Sequence, residues 1–279
     1  MNDRHVLVVG IDGVRHDLLP GLRTPHLDAT ARAGFMAPVR IDDSTPTMSG
    51  PCWATVVTGV KVAKHAIWGN RLDGNRLTVF PDFLTRLAVD HGRRTYAAGC
   101  WAPLFLTRDG GPLFAAPSRL TFVGPHENTP EGWEEADEEV VEETVRVLGA
   151  RRAPHASFVY LGAVDETAHH LGCGPEYRRA IEAADARLGR LLRAVEERPA
   201  PAGEWTVVVV TDHGHRDEGG HGGHSSAERT AWIAARGPGL SPGTAPSTVR
   251  HVDVAAHVHA ALGITPDSHW SLDGAPFTP

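Results

Sequence analysis

Three aspartates stand just after apolar stretches, and histidines accompany two of them. Thr211-Asp212-His213-Gly214 follows the apolar run 207–210, Asp165-Glu166-Thr167-Ala168-His169 comes shortly after 156–161, and Ile11-Asp12-Gly13 follows 6–9. A carboxylate oxygen and an imidazole nitrogen offered together suit a divalent cation of borderline softness. Zinc leads, with manganese or iron as competitors. Asp165 and His169 are four positions apart, so on a helical turn they share one face and reach one ion; His170 is the rival imidazole. His221, inside Gly219-Gly220-His221-Gly222-Gly223-His224, has glycines on both sides that let backbone approach a crowded site, and it can complete a coordination shell. Each piece also has a plainer reading, with Asp212 capping a turn and His213 on the surface. His215 and His224 read as ordinary loop residues.

A second kind of chemistry lies in Ser49-Gly50-Pro51-Cys52-Trp53, which runs on to Thr58-Gly59. Ser49 stands where a helix would begin, Pro51 falls in its first turn, and Gly59 is a suitable terminator. A serine there is either an N-cap or a nucleophile whose alkoxide, and any phosphate on it, is favoured by the helix N-terminus and a nearby metal.

The elements that must position these residues are legible as alternating patterns. Strand-like apolar runs occur at 6–9, 95–98, 156–161, 206–210 and 231–235, and helical periodicity at about 81–91, 131–148, 177–196 and 252–262. The alternation predicts an α/β, doubly wound, mostly parallel sheet with helices on both faces, whose ligands bind outside the carboxyl ends of the strands. No repeat or long linker divides the chain, so one catalytic domain is expected over residues 1–279. The Pro/Gly-rich stretches 198–203 and 237–246 read as surface connections. The acidic run 131–143 reads as the solvated start of a helix.

Composition narrows the partners. The net charge is -7, with 27 Lys+Arg against 34 Asp+Glu and no basic block; a nucleic-acid polymer is therefore not an expected partner. No apolar run approaches the ~20 residues of a membrane span, and Met1 to Arg4 leave no room for a leader before the first strand. The expectation is a cytoplasmic protein that does not use a membrane. The 3 cysteines, Cys52, Cys100 and Cys173, share no C-x-x-C spacing, so metal ligands must come from Asp and His among the 17 histidines. Gly10-Ile11-Asp12-Gly13 lacks the spacing of a dinucleotide-binding loop. Nothing in the chain specifies an oligomeric state.

Taken in order, these segments resemble the alkaline phosphatase superfamily, and most closely its type I phosphodiesterase/nucleotide pyrophosphatase branch. The superfamily nucleophile precedes the Thr of a Thr-Gly pair by nine residues, which is the separation of Ser49 from Thr58. Pro51, the stretch Lys64-His65-Ala66-Ile67-Trp68-Gly69-Asn70, the Asp165…His169 pair with Asp185 and Gly189 beyond it, and Asp212-His213-Gly214 match further elements of the branch. The resemblance implies an alkaline phosphatase-like fold and two divalent metal ions. One ion would be held by Asp12, Asp212 and His213 and would bind Ser49 Oγ; the other would be held by Asp165, His169 and His221, with His221 placed ahead of His224 as the last ligand. Asn70 and the backbone N–H groups after Ser49 would bind the equatorial phosphoryl oxygens.

The implied activity is hydrolysis of a small phosphorylated substrate, a phosphodiester or nucleotide pyrophosphate, through a phosphoseryl intermediate. Its alternatives are a phosphomonoesterase, a phosphonate hydrolase or phosphotransferase, and an inactive metal or nucleotide binder. Two departures bear on substrate choice. Gly50 stands where the branch usually has an aromatic residue, and the Arg of the sulfatase maturation signal is missing after Cys52. Trp53, Trp68, Trp101 and Phe105 are candidate pocket walls.

Overall fold

The computed structural model describes residues 3–198 and 203–277. Its centre is a seven-stranded sheet of β1 (Arg4–Ile11), β2 (Phe35–Arg40), β3 (Thr95–Gly99), β4 (Arg119–Phe122), β5 (Ala156–Leu161), β6 (Glu204–Val210) and β7 (Thr230–Arg236). The spatial order is β2-β7-β6-β1-β5-β3-β4. β1 lies between β5 and β6 and is parallel to both, with Ile11 paired to Leu161 and Gly10 to Val210. That register sets the carboxyl ends of three consecutive strands side by side, and all three segments bearing the aspartates leave the sheet there.

These strands are continuous hydrophobic runs because both faces are covered: Val6 to Val9 are wholly buried, and so is every residue of β5. The helices are α1 (Pro25–Ala33), α2 (Ser49–Thr58), α3 (Val62–His65), α4 (Phe83–Val89), α5 (Ala102–Phe105), α6 (Pro130–Gly149), α7 (Ala163–Leu171), α8 (Pro175–Glu196), α9 (Ser226–Arg229) and α10 (Asp253–Ala261). They pack in two sets: α6, α7 and α1 meet α8, while α10 meets α2 and α4. In α8, Tyr177, Ala180, Ile181, Ala184, Leu188, Leu191, Leu192 and Val195 form the buried stripe that a 3.6-residue period produces.

The mostly parallel sheet is as the sequence predicts, and the structure adds to or corrects the reading at four places. β7 is antiparallel to β6 and to β2, since it enters the sheet from α9, just past the site loop, rather than from a crossover. β2 and β4 were not anticipated. β2 contains Pro38 and alternates buried with exposed positions, as an edge strand does, and β4 has only four residues, none buried. The acidic run lies on α6, but Asp137 is fully buried and accepts the N–H groups of Gly162 and Ala163 at 2.9 and 3.0 Å. It caps α7 two residues before Asp165, and burial pushes its carboxyl up to about 6. Of the Pro/Gly-rich connection 198–203, residues 199–202 lie outside the described residues, as do residues 1–2 at the N-terminus. Among the described residues no helix is long and apolar enough to cross a membrane.

Candidate functional site

Asp12 follows β1 and is fully buried. Its Oδ2 accepts the indole N–H of Trp53 at 2.9 Å and the hydroxyl of Tyr160 at 2.7 Å, whereas its Oδ1 has no hydrogen-bond donor. Asp212 follows β6 by one residue, is equally buried, accepts Gly13 N–H on Oδ1 at 3.1 Å and leaves Oδ2 without a donor. Both unsatisfied oxygens face one nitrogen: His213 Nε2 is 3.5 Å from Asp12 Oδ1 and 3.3 Å from Asp212 Oδ2. His213 Nδ1 lies 3.2 Å from the Gly214 carbonyl, which directs the ring proton there and leaves the Nε2 lone pair free. A buried oxygen lacking a donor is costly, and two of them around a bare imidazole nitrogen make a donor set that fits a divalent cation.

A second set adjoins the first. Asp165 lies in the first turn of α7, with Oδ2 3.3 Å from His169 Nε2 one turn later. His221 Nε2 is 3.0 Å from His169 Nε2 and 3.7 Å from Asp165 Oδ1, and its Nδ1 is directed to the Thr47 carbonyl at 2.8 Å. The potential ligand atoms of Asp12, Asp212 and His213 lie within 4.8 Å of one another, and so do those of Asp165, His169 and His221. The sets touch through the stacked rings of His213 and His221, whose centroids are 3.9 Å apart.

The electrostatics express a shortage of positive charge. Burial and the neighbouring Asp165 push the Asp12 carboxyl up to about 8, and burial with Asp12 and Asp165 raises Asp212 well above the usual range. Burial also pushes Asp165 upward, but hydrogen bonds from His169 and His215 outweigh it and hold that carboxyl well below the ordinary value. The same bond to Asp165 raises His169 to about 9, whereas burial and then His221 push His213 well below its usual value.

Ser49 is the first residue of α2 and is buried, with Oγ 3.4 Å from His213 Nε2. It is not a cap: the N-cap is Met48, and no side chain caps the helix. The Gly50 N–H is taken by Asn70 Oδ1 at 2.9 Å, which corrects the expectation that this N–H is free for a phosphoryl oxygen and leaves the Asn70 NH2 as the free end of that amide. His65 holds the loop bearing Asn70 against α2, accepting Ile67 N–H on Nδ1 and meeting Thr55 Oγ1 through Nε2. A Cβ at residue 50 would lie 2.2 Å from the Gly69 carbonyl oxygen. The aromatic side chain usual at this position is thus sterically barred while Asn70 is held this way.

The remaining candidates separate clearly. His224 is exposed and meets Arg229. His215, read from sequence as a loop residue, is instead wholly buried, with Nε2 2.7 Å from Asp165 Oδ1. Its signal was its place two residues after His213, where a chain crowded around one centre faces inward again. A cavity of about 590 Å3 beside Asn70 is lined by Trp101, Phe122, Trp133 and Glu166 among others. Of the anticipated walls only Trp101 lines it; Trp53 bonds Asp12, Phe105 is core, and Trp68 is exposed on the surface.

Comparison with known proteins gives the same frame. Human ectonucleotide pyrophosphatase/phosphodiesterase family member 7 is 26% identical over 226 residues, covering 75% of this chain and 47% of that protein, so the chain spans about half the length of the curated relative it matches. The solved structure of murine ectonucleotide pyrophosphatase/phosphodiesterase 5 in complex with AMP superposes with a TM-score of 0.69 at 16% identity, over 94% of this chain and 96% of that one. Phosphonate monoester hydrolase of Agrobacterium radiobacter gives 0.67 at 16% identity, over 98% and 76%. The fold is accordingly alkaline phosphatase-like. Residues 6–223 match the family described as type I phosphodiesterase / nucleotide pyrophosphatase, and the chain belongs to that family.

Proposed function

We propose that the protein is a two-metal phosphoric-ester hydrolase with Ser49 as nucleophile. The observation that carries this reading is the pair of buried, donorless oxygens, Asp12 Oδ1 and Asp212 Oδ2, around His213 Nε2, with Ser49 Oγ 3.4 Å from that nitrogen. Asp12, Asp212 and His213 would hold one divalent ion and Asp165, His169 and His221 the other. Zinc suits this oxygen and nitrogen set, with manganese or iron as competitors. Ions bound there supply positive charge that lowers the pKa of the serine hydroxyl and offsets charge on the attacking and leaving oxygens.

Ser49 loses its hydroxyl proton to solvent and Oγ attacks phosphorus in line; the bond to the leaving oxygen breaks, that oxygen departs and takes up a proton, and a phosphoseryl intermediate forms. Water then attacks phosphorus, the P–Oγ bond breaks, the phosphoryl product leaves and Oγ regains a proton. Ser49 opens a ten-residue helix, whose N-terminal dipole favours the serine alkoxide and the phosphoryl group. The NH2 of Asn70, freed by the bond between its oxygen and Gly50 N–H, donates to an equatorial phosphoryl oxygen. The cavity lined by Asn70, Trp101 and Trp133 receives the rest of a small substrate. A phosphodiester or nucleotide pyrophosphate is favoured by the family and by the nucleotide held in the murine relative.

Ser49→Ala is expected to abolish turnover of bis(4-nitrophenyl) phosphate, 4-nitrophenyl phosphate and a dinucleotide pyrophosphate, while two ions per chain remain by elemental analysis. Near-normal turnover in this variant would remove Ser49 from the nucleophile role. In the wild type, the rank of the three substrates in zinc, manganese and magnesium assigns the ester class and the metal.

A further inference from the structure

His215 is buried with no solvent exposure, and its Nε2 lies 2.7 Å from Asp165 Oδ1. We propose that His215 is a positioning residue of the metal centre: its Nε2–H fixes Asp165, and so ties α7, which carries Asp165 and His169, to the loop after β6, which carries Asp212, His213 and His221. This role rests on the two-metal reading above.

A carboxylate that must offer a lone pair to an ion is oriented by a donor on its remaining lone pairs. His169 is 3.3 Å from Asp165 Oδ2 and His221 3.7 Å from Oδ1, and His215 also groups with Asp165 and His213, with ligand atoms within 4.8 Å of one another, so direct ligation by His215 is the alternative that the test separates. His215 makes the shortest contact of the three, and its Nδ1 has no hydrogen-bond partner. With nothing to bind the proton at Nδ1, the tautomer with hydrogen on Nε2 is favoured, and it points at Asp165. The pair is also held sterically. Gly13, at φ +71°, packs so closely that a Cβ there would lie 2.6 Å from His215 Nε2 and 2.7 Å from Asp165 Oδ1. Tyr177 closes another side, its ring centroid 6.1 Å from that of His215 and its hydroxyl bonded to the Gly13 carbonyl. His213 lies two residues back on the same loop but is held by its own contacts to Asp12, Asp212 and the Gly214 carbonyl, so loss of the His215 contact bears on Asp165.

The test titrates metal-free protein with zinc chloride by calorimetry, with stoichiometry from elemental analysis, for wild type, His215→Leu and His215→Gln. His215→Leu is expected to weaken the second ion about 10–100-fold while leaving the first within about threefold. His215→Gln, whose amide N–H reaches the same place, is expected to bind both ions within about threefold of wild type, with turnover restored in parallel. His215→Met serves as a second apolar replacement, read by the same criteria, if leucine prevents folding. Two ions held as tightly in the apolar variant as in wild type would overturn the positioning role alone. Equal weakening in His215→Gln would overturn it in favour of direct ligation by the ring. A wild-type chain that takes up fewer than two ions would overturn the two-metal reading, and this role with it.

Discussion

His213 and His215, beyond the carboxyl end of β6, and His257 and His259 of α10 are buried alike, yet they sit in opposite environments. His213 and His215 share their pocket with Asp12, Asp165 and Asp212, and two carboxylate oxygens there lack any donor. His257 stacks on Phe277 at 4.5 Å and His259 lies against Trp270 at 4.8 Å. Burial alone holds His257 neutral, down to about 4, and burial aided by Arg86 and His91 takes His259 to about 3. A buried imidazole by itself is packing; buried carboxylates with unused lone pairs beside it make it a candidate ligand. The buried histidines therefore divide by their neighbours.

The largest effect that separates the two regions is on turnover. His213→Ala is expected to abolish phosphodiester hydrolysis and to reduce the bound metal below two per chain, whereas His259→Leu leaves both unchanged, as steady-state rates and elemental analysis would show. Equal losses in the two variants would erase the distinction.

A smaller effect appears in the stability of metal-free protein, with opposite signs in the two regions. Asp12 holds its proton up to about 8 against an ordinary 3.8, so between those values folding takes up a proton and stability falls as pH rises. Asp12→Asn is therefore expected to melt above wild type in chelator, by a margin that widens from pH 5 to pH 8. A margin that narrows would contradict the burial of a cation-free carboxylate.

The smallest effect is on α10. His259 has a folded value of about 3 against 6.5, so the unfolded chain takes up a proton first as pH falls, and stability is lost below 6.5. Both His259 nitrogens also lack partners. His259→Leu is expected to be near neutral at pH 7.5 and then to gain on wild type by about 1.4 kcal/mol for each unit of pH below 6.5, measured by denaturant unfolding. A difference independent of pH would show that His259 is not held neutral.

How much of this was legible in the sequence follows from what each element depends on. β1, β5 and β6 are buried on both faces, so their continuous apolar runs announced them, and with them Asp12, Asp165 and Asp212 at their ends. The i, i+4 spacing of Asp165 and His169 needed only a helical turn, which α7 supplies. β2 carries a proline on an edge and β4 spans four part-exposed residues, so neither has a pattern strong enough to read. His215 depends on a contact across 50 positions of sequence with Asp165, and the Gly50 N–H on a loop 20 residues away. Such contacts arise only when the chain has closed, and no local spacing encodes them.

The most direct measurement of the central claim is a zinc titration of chelator-treated wild-type protein, with bis(4-nitrophenyl) phosphate turnover followed at each addition. Turnover is expected to be absent in chelator and to rise as the second equivalent binds, reaching its plateau at two ions per chain. Full turnover in chelator, or a plateau at one ion per chain, would contradict a site built from two Asp/His clusters acting together.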